Sequence, residues 1–260
     1  MKQLKSIEEI ECKYLNKYYH FLKFAEDELL FGFKTKEKIS NDWLGLYKSG
    51  ISDFAVGAER IVYSLLNGKG IGQPNSCPVG ADLFFEVQDA FIHIDLKTVS
   101  ASLKNEAGKS NNIGDYTSSI FVGTNQNSYT GKMIVNEGGS KEEYRDYTSS
   151  LPTFYNKGKK DEKICLSYFV TILYDKDTLD TLVMCIVCMP NGELEKHYKT
   201  RVLQAGKNLD KTRFRFTNIP EFELLPEKEK RIKVVYFDNK MDDKYKKKLK
   251  FFEALYTKDK

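Results

Sequence analysis

The sequence predicts an α/β fold, a single domain spanning 1–260 with a mixed central β-sheet flanked by helices, and three stretches carry that expectation. Residues 52–66 place apolar side chains at helical spacing. Residues 81–87 and 90–97 are rich in β-branched and aromatic residues around the polar pair Gln88-Asp89, the pattern of a tight hairpin. Residues 164–174 and 181–189 are strongly apolar runs on either side of Asp175-Lys176-Asp177-Thr178, and read as buried central strands.

Composition sets the outer limits. With 41% hydrophobic and 13% aromatic residues the chain can build a proper core, so a folded globular protein is expected. Lys and Arg (41) exceed Asp and Glu (37) by only four, which permits a nucleic-acid partner without arguing for one. The N-terminus Met1-Lys2-Gln3-Leu4-Lys5 opens an amphipathic pattern, not a signal peptide, and no apolar run has the length of a membrane span. Five cysteines without a framework spacing fit a reducing cytoplasm. Cys185 and Cys188 have CxxC spacing but lie in a strand pattern, where positions three apart point to opposite faces. They read as core thiols, not as a zinc site.

In chain order, Ser6-Ile7-Glu8-Glu9 has the form of a capping box and predicts a helix from there to about residue 31. Residues 34–49 read as a loop with a short helix. In 52–66 Ser52 and Asp53 supply the N-terminal cap, and Phe54, Ala58, Ile61, Val62 and Leu65 form the apolar face. Glu59 borders that face; it reads equally as an edge carboxylate paired with a cation or as a group that helps to hold a metal. Gly68-Lys69-Gly70-Ile71-Gly72 follows a helix and precedes none, so it reads as a connection, not a phosphate loop.

If Gln88-Asp89 is a two-residue turn, the hairpin register is fixed, because opposed residue numbers keep a constant sum. That sum is 177, and Asp82 and Asp95 share it. The two carboxylates then face each other on one side of the sheet, with Lys97 two residues beyond Asp95 on the same side. Facing carboxylates repel unless a cation lies between them, and a hard divalent ion such as Mg²⁺ takes oxygen ligands. His20, His93 and His197 are dispersed and give little support to a histidine-based metal site, although His93 shares the face of Asp95.

After Lys97 the composition changes. The segment 98–150 is rich in Ser, Asn, Gly, Thr and Tyr, and reads either as DNA-recognition loops or as ordinary surface loop. Lys104, Lys109, Asn125, Gln126, Asn127, Ser128 and Tyr129 are its candidate DNA contacts, since amides read adenine and lysines meet phosphates. A strand is expected near 118–123. Further on, strands are expected at 193–201 and 231–237, and a helix at 242–256. Arg213 and Arg215 share one face of a strand that holds phosphates or is simply wet. The run Lys246-Lys247-Lys248 reads as a solvated helix face.

Asp82, Asp95 and Lys97 together resemble the signature of the PD-(D/E)XK nucleases, and in particular the type II restriction endonucleases. The match covers about 52–98; Pro78 stands four residues before Asp82, not directly before it. The resemblance implies a restriction-endonuclease-like fold and Mg²⁺-dependent hydrolysis of double-stranded DNA that leaves 5′-phosphate ends. Asp82 and Asp95 would ligate the metal, Lys97 would place the attacking water, and Glu59 would support the site. It also implies a C2 homodimer on palindromic sites and a DNA methyltransferase as cellular partner. The rival readings are a structure-specific or repair nuclease of the same superfamily and a non-catalytic DNA-binding module.

Overall fold

The computed structural model describes residues 2–32, 62, 83–102, 119–120, 130–134, 144–148, 151–175, 177–189, 191, 203–205, 212–215 and 231–259. The main sheet has the order β1 (Leu83–Glu86), β2 (Ala90–Ala101), β7 (Lys163–Asp175), β8 (Thr181–Met189), β11 (Ile232–Phe237), and the short β6 (Phe154–Tyr155) also pairs with β7. β2 and β7 run parallel from Ala90↔Ile164 to Ala101↔Asp175, and the remaining pairs are antiparallel, so the sheet is mixed.

Among the described residues, helices cover both faces. The N-terminal helix α1 (Lys2–Phe24), after which residues 26–32 are again helical, buries Tyr14, Leu15, Tyr18 and Leu22 at helical spacing. They pack on Ile92, Ile94, Leu96, Val170, Met184 and Ile186. The C-terminal helix α2 (Asp243–Lys258) lays Tyr245, Leu249, Phe252 and Leu255 on the opposite face, against Val99, Leu173, Cys185, Val187 and Val234. Asp242 caps it by accepting from the Lys244 N–H at 2.8 Å. The lysine run falls between the buried Tyr245 and Leu249, and its Lys247 and Lys248 are exposed. β8 is buried on both faces, with Cys185 in one core and Cys188 in the other, as their spacing predicts.

Several boundaries differ from expectation. α1 starts at Lys2, so Ser6 lies inside the helix and not at its start; Lys2, Gln3 and Leu4 are themselves good helix formers. β2 runs on through Thr98-Val99-Ser100 to Ala101, because β7 pairs with it over that whole length. The segment 98–150 is therefore not all loop. Besides the end of β2 it carries β3 (Ser119–Ile120), β4 (Thr130–Ile134) and β5 (Tyr144–Thr148). With β9 (Leu203–Ala205) and β10 (Thr212–Arg215) these form a second sheet of order β3-β10-β9-β4-β5. Of 52–66 only Val62 is described; it is helical and buried in the core beneath α1. The strand expected at 193–201 lies outside the described residues.

A buried ion pair ties α1 to the sheet. Glu11 is 3% exposed and lies 3.0 Å from Arg231 at the start of β11. Its other oxygen accepts from the Asn191 N–H at 2.7 Å, and its own carbonyl accepts from the Tyr168 hydroxyl at 2.9 Å. Burial is the strongest influence on this carboxyl and pushes its pKa up against the pull of Arg231. Glu11→Ala leaves a largely buried guanidinium without its partner and is expected to cost about 3–5 kcal/mol in urea unfolding. The double variant Glu11→Leu/Arg231→Met should cost less than either single change; a loss equal to the sum of the singles would show that the pair is not coupled.

Candidate active site

The hairpin closes as the sequence predicts. The Val87 N–H donates to the Ala90 carbonyl at 2.9 Å around Gln88-Asp89. The pairs Leu83↔Ile94, Phe84↔His93, Phe85↔Ile92 and Glu86↔Phe91 all keep the sum 177. The turn is held from two sides. Lys13 donates to Asp89 at 2.7 Å, and the Tyr14 hydroxyl donates to its other oxygen. Across the hairpin Lys163 pairs with Glu86 and donates to the Val87 carbonyl at 3.0 Å. Burial works to raise the Asp89 pKa, but the hydrogen bonds from Lys13 and Tyr14 outweigh it and hold this carboxyl below its usual range. Tyr14 is pushed up to about 12, by burial first and by its bond to Asp89 second.

Along β2 the two faces have different work. Ala90, Ile92, Ile94 and Leu96 belong to the core beneath α1. The other face begins with Phe91 and His93, continues with Asp95 and Lys97, and ends with Val99 and Ala101 in the core beneath α2. Asp95 is 5% exposed and forms an ion pair with Lys97, whose side chain stays 29% exposed. A buried carboxylate is thus joined to a cation that still reaches solvent. In β7, Phe169 stands beside Asp95 and Thr171 beside Lys97.

His93 is almost fully buried in an aromatic nest. Phe84, opposite it in β1, approaches to 4.6 Å between ring centroids, and Tyr155 stacks on it at 6.0 Å and 9°. The Tyr155 hydroxyl lies 3.3 Å from Nε2, whereas Nδ1 has no hydrogen-bond partner among the described residues. Burial pushes the imidazole pKa down to about 4, so the ring is neutral at ordinary pH. Sequence reasoning noticed His93 only as a neighbour of Asp95 and did not single out Tyr155. The alternation His93-x-Asp95 on one strand face was the available signal.

Of the predicted site residues, the structure brings Asp95 and Lys97 together. Asp82, Glu59, Lys104, Lys109, Asn125, Gln126, Asn127, Ser128 and Tyr129 lie outside the described residues. Among the described residues no three His, Cys, Asp or Glu side chains cluster as a metal site, and no helix is long and apolar enough to cross a membrane. In the second sheet, Arg213 pairs with Gln204, Arg215 with Ser119 and Lys132 with Asp146.

Two family models match the sequence. The one described as the type II restriction enzyme MwoI, N-terminal domain, covers residues 3–178, and the one for the central domain of the same enzyme covers 181–237. Among solved structures, the chain is similar to the restriction endonuclease BglI bound to its DNA recognition sequence. The TM-score is 0.62 at 13% identity, over 90% of this chain and 92% of that one. It is also similar to the tetrameric restriction endonuclease SfiI bound to cognate DNA, with TM-score 0.58 at 13% identity over 92% and 87% of the two chains. No curated protein matches the sequence. The fold of this chain, a mixed sheet with flanking helices, is that of these endonucleases.

The clamp on the hairpin turn has a pH signature. Because the Asp89 pKa is lower in the folded chain, its stabilisation is fully present above the unfolded value of about 3.9. It is lost as pH falls through the folded value. Tyr14→Phe is expected to cost about 1 kcal/mol at neutral pH. Asp89→Asn should be less stable than wild type at pH 6, with the difference shrinking as the pH falls below 4. Urea midpoints across that range check it, and a difference that grows in acid would sink the assignment.

Proposed function

Since the chain belongs to the family of the type II restriction enzyme MwoI, and is accordingly a site-specific deoxyribonuclease, we propose that Asp82, Asp95 and Lys97 form its hydrolytic centre with Mg²⁺ as cofactor. The observation that carries this reading is the buried Asp95 in an ion pair with the half-open Lys97, on a hairpin whose described pairs keep the register sum of 177. A strand carboxylate with a second one opposite offers only oxygen donors, which fits a hard divalent cation. Asp82 and Asp95 would hold Mg²⁺, which would supply charge that neutralises the scissile phosphate. Asp95 keeps Lys97 on the reacting face, and the Lys97 ammonium donates to the phosphate and orients the attacking water. Water's oxygen forms the new bond to phosphorus in line with the departing 3′ oxygen, the P–O3′ bond breaks, and 5′-phosphate and 3′-hydroxyl ends result. Glu59 supports the carboxylates.

Duplex DNA is the substrate class. Its support here is the family together with the DNA held by the BglI and SfiI structures. Base and phosphate contacts are assigned to Lys104 and Lys109, which follow β2, and to the run from Asn125 to Tyr129, which falls between β3 and β4 in the chain. A homodimer acting on palindromic sites in the cytoplasm, with a methyltransferase protecting host DNA, completes the reading.

Digestion of unmethylated phage DNA tests it, with Mg²⁺, an EDTA control and two variants. Wild type should give discrete fragments only with the metal. Asp95→Ala and Lys97→Ala should lose activity by about a hundredfold or more, with Lys97→Ala still shifting DNA on a gel. Cleavage at the wild-type rate by Lys97→Ala would refute the assignment of the site.

A further inference from the structure

His93 lies two residues before Asp95 on the same face of β2 and is 2% exposed. Its Nδ1 is buried with no hydrogen-bond partner among the described residues, although buried polar atoms are almost always satisfied. The opposite nitrogen, Nε2, is engaged by the Tyr155 hydroxyl at 3.3 Å, and the two rings stack. In the tautomer whose Nε2–H donates to Tyr155, Nδ1 presents a bare lone pair. A metal-binding histidine is held in this way, with its second nitrogen bonded so that tautomer and ring orientation are fixed.

We propose that His93 Nδ1 is a nitrogen ligand that joins Asp95 in holding a divalent transition ion such as Mn²⁺ or Co²⁺. The inference rests on the reading of Asp95 as a metal ligand and adds a donor of different chemistry to it. Residues two apart on a strand stand roughly 6.6 Å apart along it, a gap that one ion with bonds of about 2.1 Å bridges between an imidazole and a carboxylate. Mg²⁺ prefers oxygen and gains little from imidazole, whereas the later divalent ions bind it well. The same pocket of residues therefore presents an oxygen site to Mg²⁺ and a mixed nitrogen–oxygen site to softer ions. Phe84 and Tyr155 keep the imidazole from turning away.

The test reads the metal directly, without DNA. Mn²⁺ bound to the full chain should show ¹⁴N modulation in pulsed electron paramagnetic resonance, and His93→Phe, which keeps an aromatic ring in the nest, should abolish it. Co²⁺ affinity, followed by visible absorption, should fall about tenfold or more in that variant. Mg²⁺ affinity, read by displacement of Mn²⁺, should fall less. Absence of ¹⁴N modulation in the wild type overturns the inference whether or not the variant folds, and so does modulation that survives His93→Phe. An Asp95→Asn arm separates the two readings. If that variant loses Mn²⁺ while the wild type shows no nitrogen coupling, the metal site stands and His93 leaves it. If Mn²⁺ binding is unchanged in Asp95→Asn, both readings fall.

Discussion

The two-residue turn at Gln88-Asp89 decides which side of the sheet receives Asp95, and the packing of the whole strand depends on that choice. A slip of one residue would carry Asp95 and Lys97 into the core beneath α1 and bring Ile92, Ile94 and Leu96 out of it. Each of those three side chains gains about 1.5–3 kcal/mol from burial, so the slipped register loses several kcal/mol before the misplaced charges are considered. The apolar face therefore fixes the polar one. Lys13 and Tyr14 on α1 and Lys163 on β7 reinforce this from outside the hairpin, since they hold Asp89, Glu86 and the Val87 carbonyl in place.

Two ion pairs on this sheet show how context separates architecture from chemistry. Glu11 and Arg231 are both largely enclosed, and Glu11 also takes a backbone N–H from Asn191. Their role is to register α1 on β11. In Asp95 and Lys97 only the carboxylate is enclosed, and the ammonium keeps a path to solvent. An unequal pair of this kind can exchange its internal contact for one to a phosphate. The two pairs are similar in charge and differ in access.

What could be read from the sequence followed from how local each signal is. The β1–β2 and β7–β8 hairpins, the α2 helix and the opposed thiols of Cys185 and Cys188 rest on short-range alternation and turn chemistry, and all were legible. Asp95 and Lys97 were legible for the same reason. The second sheet was not, because β3 and β4 find partners in β10 and β9 more than fifty residues away, and β3, β4 and β5 are too short to show a period of their own. The far end of β2 looked polar because its Thr98 and Ser100 are stabilised by pairing with β7, not by their own burial. Glu11 looked like one of several helix carboxylates until Arg231 and Asn191 arrived from the other end of the chain.

The parallel pairing of β2 with β7 also sets an order of events during synthesis. Parallel neighbours need a crossover, and here residues 102–162 separate the two strands. A ribosome finishes the Asp95–Lys97 strand long before it makes the strand that flanks it, and closing so distant a contact is slow. A nascent chain that already contains Asp95 and Lys97 still lacks the strand that flanks them. The enclosure of Asp95 thus arrives late, and only in molecules whose core has been completed.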